Sequence, residues 1–183
     1  MELWTYSEGD KLLLMGSGAY HAKHLPSEVK ERLDDAMEKG VSIIVAEAGG
    51  SCRVFQNYLA SKDYKDVVVG RARSLRYNAG GWRDVKYGNN LKERERNMIE
   101  DCDFAIVIWV NHSGTIKENL KYLKKCDKPT FLYEYDTSRG TEYAGMVEPN
   151  RNFNLFYPYL KRFKQQEKYK FNKWFFEKKK NDL

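Results

Sequence analysis

Directly after the apolar run DFAIVIWV (103–110) the chain reads NHSGTIKENL (111–120). That is a turn of Asn, His, Ser and Gly, a helix opening at Thr115, and a carboxylate, Glu118, one turn in. Gly-Thr at the mouth of a helix suits phosphate, because the free N–H groups and the dipole of a helix N-terminus carry roughly half a positive charge. A carboxylate nearby suits sugar chemistry. It stabilises or attacks the cation that develops at C1′ and O4′ when an N-glycosidic bond breaks. Capping is the other use of this pattern, since Thr115 to Glu118 has the interval of a capping box and an acid is favoured in the first turn.

Two further glycine turns follow apolar runs, GSGAY (16–20) and EAGGS (47–51). The elements that must position them are short. KLLLMGSG (11–18), VSIIVAEA (41–48), DVVVGRA (66–72), DFAIVIWV (103–110) and KPTFLYEY (128–135) read as five buried strands. Between them, 25–40, 49–64, 91–102 and 114–127 read as helices, the first with Ser27 as N-cap and Gly40 closing its end. The stretch 73–90 has no clean period and reads as a long loop carrying Arg73, Arg76, Trp82 and Arg83.

Apolar strands alternating with helices predict an α/β fold: a five-stranded parallel sheet covered on both faces, a three-layer sandwich. Taking the runs in chain order, the strand order is 3-2-1-4-5, with the switch point between the first and fourth. That order brings Gly16–Tyr20, Glu47–Ser51 and Asn111–Thr115 to one crevice at the carboxyl edge, where ligands of open α/β sheets bind.

Composition narrows the class. The chain has 183 residues, no run near the ~18 apolar residues of a membrane helix, and an N-terminus, MELWTYSEGDK, without the form of a secretory signal. Cys52, Cys102 and Cys126 are widely spaced and form no CxxC, which predicts reduced thiols in a cytoplasmic protein. His21, His24 and His112 are too scattered for a metal site, so neither metal nor cofactor is expected. The charge of +6 is uneven: residues 151–183 hold ten Lys/Arg against three Asp/Glu, together with ten aromatics. We therefore separate a domain, 1–150, from a basic, aromatic-rich, helical C-terminal extension, 151–183.

Two segments resemble the SLOG superfamily, a Rossmann-like group that includes the LOG-type cytokinin-activating phosphoribohydrolases and YspA-like proteins. VAEAGGSCRVFQNYLA (45–60) is similar to the YspA-type turn and helix, V-G-D-A-x-G-x-D-x-x-V-Q-x-Y-L-A. ERERNM (93–98) followed by CDFAIVIWVNHSGTIKE (102–118) is similar to the LOG pattern of R-K-x-x-M, a strand, then P-G-G-x-G-T-x-x-E. The resemblance covers about residues 11–135. It departs at Cys52 (Asp in the YspA pattern), at Glu95 (Lys in LOG), and at Val-Asn-His-Ser in place of Pro-Gly-Gly. Nucleoside 2-deoxyribosyltransferases, of related fold, also carry a glycine turn before a helix with a catalytic Glu.

The resemblance implies a nucleotide or nucleoside-like ligand and cleavage or exchange of its N-glycosidic bond. Glu118 would be the catalytic carboxylate and Arg94 the anion or ribose anchor, although KERER (92–96) also reads as a solvated helix face. Ligand contacts fall on Gly16, Ser17, Gly18 and Tyr20 in the first turn, and on Glu47, Gly49, Gly50 and Ser51 in the second. Ser113, Gly114 and Thr115 supply the third. Ser17 would donate to a phosphate, Tyr20 would stack on a base or simply pack, and Trp109 is a core residue. Related proteins assemble as homo-oligomers, and the ten tail aromatics need apolar partners, so a homodimer or larger is expected. Two rival readings remain: a SLOG-type sensor that binds a nucleotide derivative without turning it over, and a nucleic-acid-associated protein that uses its basic tail.

Overall fold

The structure, a computed structural model, describes residues 4–112 and 114–155. Along the chain it forms β1 (Lys11–Gly16), α1 (Ser27–Glu38), β2 (Ser42–Ala46), α2 (Ser51–Ser61), β3 (Val67–Arg71) and β4 (Arg83–Lys86). Then come α3 (Leu91–Asp101), β5 (Phe104–Val110), α4 (Ile116–Lys125), β6 (Thr130–Asp136) and β7 (Thr141–Met146).

One sheet contains every strand, in the order β4-β3-β2-β1-β5-β6-β7. All neighbours are parallel except β6 and β7, which run antiparallel from Phe131↔Met146 to Asp136↔Thr141. The fold is thus α/β, but the expected five-stranded, wholly parallel sheet is corrected to seven strands. The five apolar runs fill the central positions, and a charged edge strand flanks them on each side. β4 lies within the expected loop. Its sequence, RDVK, has one apolar residue and no buried one, so no periodicity marks it. It is held by pairing with β3 and by the ion pair of Arg71 with Asp84.

Leu12, Leu13 and Leu14 are consecutive and all fully buried, which a strand allows only when both faces of its sheet are covered. The steps β1 to β2 to β3 move one way across the sheet and β5 to β6 the other. Right-handed crossovers therefore put α1 and α2 on one face and α3 and α4 on the opposite one. Cross-helix hydrogen bonds agree with that division. Tyr58 of α2 donates to Asp34 of α1 (2.7 Å), and Asn119 of α4 donates to Glu95 of α3 (2.9 Å). At the start of α1, Ser27 is the first helical residue rather than the cap; its hydroxyl bonds the Glu28 carboxylate and Pro26 holds the cap position.

Past residue 150 the chain still belongs to this body. Arg151 is buried, and its guanidinium donates to the buried Glu134 carboxylate of β6 (2.5 Å). Phe153 joins the core beside Trp109, itself fully buried. Of the extension expected to be helical, 151–183, residues 151–155 form no helix; its remainder, 156–183, and with it the oligomer and nucleic-acid contacts expected of the tail, lies outside the described residues. No helix among the described residues is long and apolar enough to cross a membrane.

Gly16 fixes the closest approach in the sheet. A Cβ there would sit well inside contact distance of the Ile108 carbonyl oxygen of β5 and 2.7 Å from Ser51 Oγ of α2. Backbone cannot yield as a side-chain tip can, so Gly16→Ala should lower the free energy of unfolding by about 1–3 kcal/mol. Urea unfolding checks this, and an alanine variant as stable as the parent would mean that β1 and β5 have room to part.

Candidate functional site

A cavity of about 800 Å³ opens at the carboxyl ends of β1 and β2 and at the first turns of α2, α3 and α4. It lies where the strand order reverses, between β1 and β5. Of the residues expected to contact a ligand, Gly16, Gly18, Gly49, Gly50 and Thr115 line it, as do Arg94 and Glu118. The other side chains around it are largely basic. Lys92, Arg94, Arg96, Lys121 and Lys125 face Glu95 and Glu118, five positive charges against two negative.

The first two turns are locked to each other. Ser17 N–H donates to the Ile108 carbonyl (2.8 Å), and the Ser17 carbonyl accepts from the N–H of Tyr20 and of Ser51 (both 3.2 Å). Ser17 Oγ accepts from Val110 N–H (2.9 Å), and the side chain is buried, so its first task is to tie β1 to β5. Gly50 has φ +62°, and a Cβ would fall 2.5 Å from Gly18 Cα and 2.6 Å from the Ser17 carbonyl. Only glycine fits this approach. Among the described residues no side chain caps the N-terminus of α2 or of α4, whereas Asn90 and Glu93 cap α3 through the Glu93 N–H to Asn90 Oδ1 bond (2.9 Å). Two helix N-termini thus reach the cavity with no side-chain cap. The capping box that Thr115 and Glu118 would allow is not formed.

Below the turns lies a chain of ion pairs. Glu47, buried at the end of β2, accepts from Arg94 Nη1 with one oxygen and from Arg76 Nε with the other, each at 2.6 Å. Arg94 Nη2 reaches Glu95, whose second oxygen accepts from Asn119 Nδ2 (2.9 Å). Burial alone would lower the Arg94 pKa, but the carboxylates of Glu95 and Glu47 outweigh it and hold the guanidinium above its ordinary value. Arg94 is therefore no solvated helix face: its side chain is 4% exposed. Its Nε is buried without a hydrogen-bond partner among the described residues. Cys52 also borders the cavity; burial pushes its thiol up to about 12, so it is neutral at physiological pH.

Glu118 stands at the rim. Its side chain is 70% exposed and bonded to Lys121 Nζ (2.9 Å), which with nearby lysines keeps the carboxyl below its usual range and ionised. Gly114 adopts φ +64° in the third turn, and Asn111 and His112 before it are also left-handed. Asn111 bonds Thr137 N–H (2.9 Å), and His112 bonds the Phe153 carbonyl (2.7 Å), so both face β6 and the segment after β7. Ser113 lies outside the described residues. Tyr20 and Ser51 are buried and do not line the cavity. The Tyr20 hydroxyl donates to the His24 carbonyl (2.7 Å), while Ser51 Oγ is buried without a hydrogen-bond partner among the described residues.

In the sequence Glu95 stands only as a departure from the LOG pattern, and neither Asn119 nor the lysines of α4 are marked as site residues. The signal was present in KERER and KENLK as charge at helical spacing on two helices that open toward one edge. Among the described residues no group of three His, Cys, Asp or Glu is placed to hold a metal ion. No protein-family model, curated protein or solved structure matches the chain.

The Glu47–Arg94 pair can be tested by charge alone. Glu47→Gln keeps shape but strips Arg94 of one carboxylate, and should cost about 2–3 kcal/mol of stability. Adding Arg94→Met should recover part of that loss, because the buried guanidinium deprived of Glu47 is removed and the remaining carboxylate, Glu95, keeps its bond from Asn119. Denaturant melts of the two single variants and the double would show it. Strictly additive losses would mean that the pair is not coupled.

Proposed function

We propose that the chain binds a phosphate-bearing nucleotide derivative in the large cavity and cleaves or exchanges its N-glycosidic bond. The observation that carries the reading is the cavity itself, where glycine turns, two helix N-termini without side-chain caps and a surplus of basic side chains meet. An anion seated there gains from backbone N–H groups that approach closely and from dipoles that already point at it. Its volume of about 800 Å³ suits a ligand of nucleotide size. The SLOG resemblance is the basis for the sugar–base bond as target.

In this reading the bond between C1′ and the base nitrogen breaks with its electron pair going to the base. Glu118, ionised at neutral pH, stabilises the positive charge on C1′ and O4′ or bonds to C1′ in passing. Water, or the hydroxyl or nitrogen of an acceptor, then supplies the new bond to C1′, and its proton goes to the departing base. Arg94 acts from beneath the turns. With both terminal nitrogens held by Glu47 and Glu95, it orients the site and offers a ligand its field.

A second reading, binding without turnover, is favoured by a specific observation. Glu118 is largely in water and Arg94 is wholly engaged by carboxylates, as suits a sensor whose site recognises rather than reacts. Calorimetry with a panel of nucleoside monophosphates, followed by chromatography for free base, separates the two. Turnover predicts binding with base release, and Glu118→Gln should abolish the release while shifting affinity and melting temperature little. Binding with no release in the parent leaves the sensor. No binding by any nucleotide sinks both readings.

A further inference from the structure

Beyond Glu47 the crevice leads to a second cavity of about 300 Å³, lined by Glu47, Arg73, Arg76, Asn89 and Leu91 among others. Leu91, exposed at the start of α3, lines both cavities, so the two are neighbours. The side cavity is built at the carboxyl ends of β2 and β3, beside the first turn of α3.

Its two arginines are held in the same way. Arg76 donates Nε to the buried carboxylate of Glu47 (2.6 Å), and Arg73 donates Nε to the Asn89 carbonyl (3.2 Å). Each guanidinium is fixed by its inner nitrogen. Among the described residues its two Nη groups make no other bond within the protein. Two forks of like charge therefore share one small cavity with a single carboxylate, and that carboxylate already serves Arg94. Such a pair is electrostatically unfavourable until an anion lies between the forks, and planar forks with free Nη pairs match the oxygens of a phosphate. Anchoring through Nε supplies the preorganisation that exposed arginines ordinarily lack.

We propose that this side cavity is a second anion seat, in which Arg73 and Arg76 bind a further phosphate of the ligand. The ligand is then a nucleotide with two phosphates, one at the glycine turns and the other past Glu47. The first half of that statement rests on the nucleotide reading of the main cavity; the second does not.

Calorimetry on the full chain tests it with AMP, ADP and adenosine 3′,5′-bisphosphate, the last two distinguishing a linked phosphate from a separate one. At least one doubly phosphorylated nucleotide should bind about tenfold more tightly than AMP. In the Arg73→Gln/Arg76→Gln variant that excess should vanish, and in Arg73→Gln alone AMP affinity should change less than about twofold. Arg73→Gln alone leaves the partners of Glu47 untouched and should lose part of the excess, which covers a folding defect in the double variant. A preference that survives in the variants, or no preference in the parent, overturns the second seat. Should no nucleoside monophosphate bind, the main-cavity reading fails. Inorganic pyrophosphate then reads the side cavity directly: binding to the parent and not to the double variant supports it, and equal binding or none overturns it.

Discussion

The carboxylate of Glu47 is the interaction on which the rest of the site depends. It is buried at the end of a central strand, where an unpaired charge would cost several kcal/mol, and it is tolerated only because two guanidiniums meet it. One of them, Arg94, is itself buried and is completed by Glu95, which in turn holds Asn119. From a single strand end the chain of bonds thus reaches the loop of Arg76, helix α3 and helix α4. It ties three otherwise separate elements together beside both cavities. Replacing such a network by apolar groups would often stabilise a fold. Its presence at a crevice, rather than in the middle of the core, points to a use for the charges beyond stability.

Above that network the crevice is made of backbone. Gly16 and Gly50 bring β1, β5 and the start of α2 closer than any side chain permits, and the Ser17 carbonyl and hydroxyl tie the same three elements together. The result is a floor with few side chains, two helix N-termini without side-chain caps, and a rim of lysine and arginine. Charge arranged in this way attracts an anion over a distance and then holds it by N–H groups at close range. Glu118 is the exception at the rim, an ionised carboxylate on α4 whose lysine neighbours keep it charged.

Much of this was legible in the sequence because burial on both faces writes long apolar runs. The five central strands and four helices were read from such runs and from helical periodicity, with ends displaced by at most three residues. The edge strands were not legible. RDVK and TEYAGM owe their conformation to a neighbour's free backbone groups, not to their own pattern, and each carries charge where an edge meets water. At the site, the glycine turns were readable because apolar strands ended in them. The partners of Arg94 were not, since Glu47 and Arg94 lie 47 residues apart and meet only through the sheet order. Tyr20 shows the converse: a tyrosine beside a glycine turn that folds away from the cavity and bonds a carbonyl four residues on.

The central claim is that the large cavity seats a nucleotide with its phosphate on the glycine turns and its sugar at Glu118. A crystal structure of the protein soaked with a nucleoside monophosphate measures that placement directly. The expected result is a phosphate against the first turns of α2 and α4, with C1′ within about 3–3.5 Å of a Glu118 oxygen, a reactive separation. A nucleotide bound outside this crevice, or one whose base rather than phosphate occupies the glycine turns, would contradict it.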